Sequence, residues 1–494
     1  MYDKNKDQVL ETEDIQGLVL LGYGHLAYGA YLFFNIKNNL GAKTWLGKLL
    51  ENNTIANAGL WSNGKPEKAI NIGFTYNGVR TLLGESARMS KFPQEFEEGM
   101  AFRERSKTIL GDSGESSPET WEFGGTNPDG NANRENIHGV LVILADSLEQ
   151  REALVEQYTN DMHSHNMEIV YAQKAAKLPH SREHFGFLDG ISQPHVEGSH
   201  RPRNPGDPQI EAGEFILGYR NEYEQFPELP MLNRDYRLGR NGTFLVLRKL
   251  QQDVPSFWNF IADYAEKDDA VPPVGISREE KMIWLASKFV GRWPNGTPLV
   301  YAPEQPEDTP ADKLNTFYYA GGREAKNPRD ANGLKCPFSA HARRMNPRDS
   351  LGPTTEKALV VANRHMIVRR GMPYGKSFFE NILNLPTTKV EPDSEDRGLM
   401  FLCLNANISR QFEFIQQTWA NNTKFHGMYQ DRDPLIGNHR ITDDSETTSS
   451  FIIPRKPVRQ RVLDIPRFVN VKGGAYFFMP SLTAINLMIK HIQG

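Results

Sequence analysis

Three times in this chain a continuous apolar run passes straight into a capped amphipathic helix, and that repeat limits the folds open to it. Gly139–Leu144 is followed by Asp146-Ser147, which opens a helix reaching about Tyr158. Leu399–Leu404 is followed by Asn407, which caps a helix carrying Ile408, Phe412, Ile415 and Trp419 on one face. The end of the chain repeats the device, with a strand at Ala475–Met479 and a helix from Ser481 that turns Leu482, Ile485 and Ile489 inward. Short apolar runs bounded by turn residues add strands at Gly17–Leu21, Ala30–Ile36, Asn71–Phe74, Thr243–Leu247 and Leu359–Arg369. Helices are expected over Ala42–Leu50, Phe257–Ala265 and Arg278–Phe289. Both halves thus alternate strand pairs with helices, as two α+β units with helices on antiparallel sheets would, rather than a parallel βαβ sheet. Residues 111–136, 200–213 and 303–335, dense in Gly, Pro, Asp and Asn, read as long loops or insertions. No Gly-x-Gly-x-x-Gly follows a strand, so a dinucleotide site is not expected.

With 494 residues, 38% of them hydrophobic, the chain can bury a substantial core. Cys336 and Cys403 are its only cysteines, so no disulfide framework holds it together. A net charge of −4 argues against a general nucleic-acid binder. No run approaches ~18 apolar residues, so no membrane span is expected. The polar start, Met-Tyr-Asp-Lys-Asn-Lys-Asp, has no apolar signal core, and a soluble cytoplasmic protein is the expectation. Asp3, Asn5 and Asp7 imitate a calcium loop, but Gln8 stands where the turn needs Gly and Asp14 where Glu is usual. A solvated tail is expected there instead.

Chemistry concentrates in three stretches. The first is residues 182–195, Arg-Glu-His-Phe-Gly-Phe-Leu-Asp-Gly-Ile-Ser-Gln-Pro-His. Gly190 is free to take positive φ in a tight bend, and Phe185, Phe187 and Leu188 set Asp189 at the edge of an apolar pocket. A carboxylate so placed can shuttle a proton. His180 and His184 have a metal-like spacing but lack the Glu of His-Glu-x-x-His, and Pro179 opposes a mid-helix position, so zinc is not expected.

The second stretch, Cys336-Pro-Phe-Ser-Ala-His341-Ala-Arg-Arg-Met-Asn-Pro347-Arg, flanks a histidine with two small alanines, so a flat group could approach it closely. Arg343, Arg344 and Arg348 could meet anionic groups such as propionates. Cys336 reads as a small buried residue rather than a thiolate ligand. In the third, His365-Met-Ile-Val-Arg369-Arg-Gly-Met-Pro-Tyr374-Gly, an arginine ends an apolar run where it could stabilise a developing anion or pair with Asp189.

Together with Gly-Leu-Met-Phe-Leu at 398–402 and Gly-Gly-Ala-Tyr-Phe-Phe-Met-Pro-Ser at 473–481, these stretches resemble the dye-decolorizing peroxidases, in particular the larger subgroup with long insertions. The resemblance covers most of the chain. It implies two ferredoxin-like domains of the dimeric α+β barrel type, divided here as 1–235, carrying the Gly-x-x-Asp-Gly loop, and 236–494, binding haem b. It implies His341 as axial ligand of the haem iron, with Arg343, Leu399, Phe401, Gly190 and Ile191 around the haem and Leu399 and Phe401 narrowing access. Asp189 and Arg369 would work on hydrogen peroxide through a ferryl intermediate, with a dye or phenol as reductant. His365 has no ligand role in the pattern, and Asp431 and Asp433 are candidates for an acid behind His341. Bulky dyes would need a surface radical, for which Trp419 and Tyr374 stand near the motifs, although Trp419 reads first as core. A haem carrier or iron-releasing protein with incidental peroxidase activity is the alternative, and intact Asp189 and Arg369 favour catalysis. Oligomerisation is compatible with the sequence.

Overall fold

The computed structural model describes residues 9–62, 64–84, 86–127, 129, 137–267, 276–322, 329–439 and 449–491. Asp3, Asn5, Asp7 and Gln8 of the calcium-like stretch lie outside them. Asp14 lies within and does structural work, accepting from Thr483 N at 2.7 Å and Asn241 Nδ2 at 2.7 Å.

The first half forms β1 (Tyr28–Ile36), α1 (Asn39–Glu51), β2 (Lys68–Phe74), β3 (Gly139–Ala145), α2 (Leu148–Ser164) and β4 (Met167–Ala176). Its strands lie in the order β4-β1-β3-β2, all antiparallel, which is the ferredoxin-like βαββαβ arrangement. The second half forms β5 (Thr243–Gln252), α3 (Val254–Glu266), α4 (Arg278–Val290), α5 (His341–Met345), α6 (Thr355–Asn363), β6 (Val368–Arg369), β7 (Met372–Tyr374), β8 (Gly398–Asn405), β9 (Val469–Met479) and α7 (Leu482–Lys490). Its order, β9-β5-β8-β6, repeats that of the first half. Phe478 of β9 pairs with Phe74 of β2, joining both halves into one nine-stranded antiparallel sheet. The fold is α+β, and β7 packs against β4 so that the sheet curls back on itself.

The period-two alternation of strands explains the layers. Phe33, Val142, Leu247, Leu402 and Phe477 share one buried cluster inside the curl. Their sequence neighbours Phe34, Ile143, Val246, Cys403 and Phe478 face outward onto the helices, against Trp45, Leu46, Leu154 and Ile485. Each such fully buried side chain contributes about 1.5–3 kcal/mol. The helix starts follow their caps: Ser147, Asn407 and Ser481 accept from Gln150 N, Arg410 N and Ala484 N.

Two expected strands are helical. Gly17–Leu20 is a single helical turn, buried at all four positions, whose free carbonyls are taken by a remote arginine: Arg370 donates to Leu18 O at 2.8 Å and Val19 O at 3.2 Å. Leu359–Arg369 begins inside α6, which is capped by Thr354 and ends at Asn363, with only Val368 and Arg369 in a strand. The β-branched run misleads because Ala358 and Ala362, four apart, are the buried face, while Val360 and Val361 are exposed.

Two buried histidines couple this fold to pH. His138 Nδ1 accepts from Ile36 N at 3.0 Å, and His184 Nε2 bonds Tyr374 O at 2.8 Å. Burial pulls both from the usual 6.5 down to about 4. The unfolded chain therefore takes up their protons first as pH falls, and stability present above about 6.5 is lost toward 4, on the order of 3 kcal/mol per histidine. His138→Gln should lose less stability than wild type between pH 6.5 and 4, by about that amount, in urea unfolding. Equal losses would contradict this.

Candidate active site

The outer face of the first half's sheet is sealed by α1 and α2. In the second half the covering elements stand off from the strands, and a cavity of about 340 Å³ opens between them, a size typical of cofactor sites. Its floor follows the strand alternation: Arg248, Leu250 and Gln252 of β5, Leu399 and Phe401 of β8, Val469 and Val471 of β9. Leu399 stands opposite Leu250 and Phe401 opposite Arg248.

His341 opens the short helix α5 and lines the cavity. Protein encloses the ring, and the 30% of its side chain that remains accessible faces that interior space. The helix is docked through Gly291, at the end of α4, where φ is +91° and a Cβ would come 3.1 Å from that of Ala342. Ala342 borders the cavity, whereas Ala340 is buried outside it.

The imidazole Nδ1 lies 2.8 Å from Asp433 Oδ2, which leaves Nε2 as the ring nitrogen open to the cavity. Asp433 is fully buried, and its Oδ1 accepts from Leu435 N at 2.9 Å and Ile436 N at 3.0 Å. Burial opposes charge on both partners, but their mutual attraction outweighs it: the imidazole is shifted up and the carboxyl down. Asp431, the other candidate, is consumed by Ser339 Oγ, Ser450 Oγ and Ile452 N. Asp433→Asn should weaken cofactor retention or turnover about 10–100-fold. Cofactor titration checks this, and wild-type affinity and rate together would remove Asp433 from the site.

Asp189 and Arg369 also line the cavity. Arg369 Nη1 is 3.8 Å from Asp189 Oδ1, and Nη2 donates to Ser192 O at 2.9 Å. Gly190 does not border the cavity; with φ +74° it folds its N–H back onto Asp189 Oδ1 at 2.6 Å. Ile191, Leu399 and Phe401 are on the wall. The charges of Arg369 and Asp189 are both felt at His341.

Arg343 lies elsewhere. Its guanidinium points away from the cavity to Asp330 Oδ2 (2.8 Å) and Cys336 O (2.7 Å), and it is stacked between Tyr319 and Phe338. The cavity-lining arginines are instead Arg248, Arg292, Arg348, Arg369 and Arg467. Arg348 donates to Phe317 O at 2.8 Å and Asn315 O at 3.1 Å. Cys336 is fully buried off the cavity, and burial pushes its thiol up to about 12, so it stays protonated.

His365 borders the cavity but is held by other partners: Nδ1 bonds Arg410 O at 2.5 Å, and the ring stacks on Phe414 at 3.8 Å. Neither radical candidate is a surface residue. Trp419 is buried on the cavity wall, and Tyr374 is buried with its hydroxyl donating to Asp396 Oδ1 at 3.1 Å. The helix after Asn407 is wound as π-helix over Ser409–Glu413 and Ile415–Asn421, and Phe412, Ile415 and Trp419 line the cavity.

A doubled ferredoxin-like sheet carrying an arginine-lined cavity places the protein in the α+β class. No model of a known protein family matches the chain. A dye-decolorizing peroxidase of Mycena epipterygia is 32% identical over 97% of this chain and 87% of its own. Among solved structures, a dye-decolorizing peroxidase in complex with 2,6-dimethoxyphenol superposes with a TM-score of 0.76 at 25% identity, over 97% of this chain and 100% of that one. A dye-decolorizing peroxidase whose heme pocket was engineered for asymmetric sulfoxidation gives 0.75 at 27% identity, over 97% and 100%. The chain belongs to the dye-decolorizing peroxidase family and is a peroxidase, and the family implies a haem cofactor.

Proposed function

We propose that the cavity would hold one haem b with His341 as a ligand of its iron, and that the protein uses it to reduce hydrogen peroxide while oxidising dyes or phenols. The observation that carries this reading is that one cavity is lined both by His341, backed by Asp433, and by the Asp189–Arg369 pair. The lining fits such a group: an imidazole nitrogen open to the space, apolar walls, and Arg292 and Arg348 along one side to meet anionic propionates. When bound, haem supplies the iron at which the O–O bond breaks and which stores the oxidising equivalents.

The chain's own residues do the rest. Asp433 holds the proton on Nδ1 and strengthens donation from Nε2. The Asp189 carboxylate accepts the first proton of peroxide and delivers it to the oxygen that departs as water. The Arg369 guanidinium offsets the negative charge on that oxygen. Leu399, Phe401 and Ile191 give the space apolar walls. Overall, peroxide takes two electrons and two protons from the reductant and leaves as two waters.

Haem-loaded protein should bleach an anthraquinone dye or oxidise a phenol only when peroxide is present, with the haem intact afterwards. Release of iron with no dye turnover would instead favour the haem-handling alternative.

A further inference from the structure

We propose that Glu183 is the positioning residue for Asp189: its carboxylate locks the 183–187 turn onto β5 and so fixes where the Asp189 carboxyl sits in the cavity. This rests on the proton-transfer role given to Asp189 above. Both carboxylate oxygens are used. Oε1 accepts from Phe187 N at 3.0 Å, and Oε2 accepts from Phe185 N at 2.9 Å and from Gln252 Nε2 at 2.7 Å. The backbone of the same residue closes the turn, with Glu183 N donating to Phe187 O at 3.0 Å and Gly186 N to Glu183 O at 2.9 Å. Gly186 takes φ +98° there, and a Cβ would strike the Leu385 side chain.

The chain then runs directly into the acid: Leu188 N donates to Pro294 O at 3.0 Å and Asp189 N to Ser181 O at 2.9 Å. Asp189 itself is tied down by little else, its side chain being 47% accessible and 3.8 Å from Arg369. Its position is therefore inherited from the turn behind it. Arg182, next in sequence, does not neutralise Glu183 but donates to Gly186 O and Pro294 O. Glu183 thus lines the cavity wall as a carboxylate held by amide donors, and burial pushes it up to about 7 against them. Gln252, on the rigid central strand β5, anchors the turn to the sheet that carries Leu250.

The test is a double-mutant cycle on haem-loaded protein, reading the bimolecular rate constant for reaction with peroxide by stopped flow. Glu183→Gln is nearly isosteric but presents an NH2 to at least one of the three donors. It should slow the peroxide reaction about tenfold or more while full haem loading is kept. The same substitution made in Asp189→Asn should change nothing further, beyond about twofold, because Glu183 acts through Asp189. Hydrogen exchange at the Phe185, Phe187 and Asp189 amides should speed up in Glu183→Gln. If Glu183→Gln does not fold, Gln252→Met removes one donor with the carboxyl group kept, and its smaller loss should likewise vanish in the Asp189→Asn background. Losses that multiply in the double variants, or a wild-type rate in the singles, overturn the proposal. If Asp189→Asn alone leaves the rate unchanged, it is the catalytic reading of Asp189 that fails.

Discussion

Asp189→Asn should slow the reaction with peroxide by about 10²–10⁴-fold while haem uptake stays at wild-type level. The amide is the same size and still accepts the Gly190 N–H, so the 2.6 Å contact and the turn behind it survive. What goes is the group able to take a proton from peroxide and give it back to the leaving oxygen. Arg369, 3.8 Å away and also bonded to Ser192 O, stays in place and cannot substitute, because a guanidinium has no free lone pair with which to accept a proton. Stopped-flow spectra of the loaded variant would show the loss directly. A wild-type rate would remove Asp189 from the chemistry.

His341→Ala should purify without a full complement of haem, its affinity lowered by more than the ~10²-fold that follows loss of a supporting residue alone. The alanine offers the cavity no nitrogen and leaves Asp433, which is fully buried, with only the Leu435 and Ile436 N–H groups. An unpaired buried carboxylate costs about 3–5 kcal/mol, so a lower unfolding midpoint should accompany the loss. Haem titration of the folded variant followed at the Soret band is the check. Full occupancy with an unaltered spectrum would move the ligand assignment to another residue.

Much of this was legible in the sequence. Caps such as Ser147 and Ser481 place helix starts because their oxygens satisfy N–H groups within three residues, a local effect. Apolar runs such as Gly139–Ala145 place central strands because both faces of the sheet are covered. Asp189, His341 and Arg369 could each be singled out within its own stretch, and the structure brings all three to one cavity.

Side-chain direction was less legible. Arg343 stands two residues after His341 on a short helix, about 200° around its axis, so it faces the opposite side and meets Asp330. Arg348, beyond Pro347, returns to the cavity through a turn that helical spacing does not describe. Asp433 is 92 residues from its partner on an irregular loop, where neither period tells it apart from Asp431. Trp419 lies on the apolar helix face as expected, but that face borders a cavity rather than solid core. Glu183 carried no signal beyond adjacency to the Asp189 loop, since its role depends on Gln252, 69 positions away.

The most direct test loads the purified protein with one equivalent of haem and then adds one equivalent of hydrogen peroxide, following the absorption spectrum. A Soret band typical of axial imidazole ligation, which shifts on peroxide addition and returns when a phenol is supplied, is the predicted result. Haem that remains unbound, or a bound spectrum indifferent to peroxide, would contradict a peroxidase site between His341 and the Asp189–Arg369 pair.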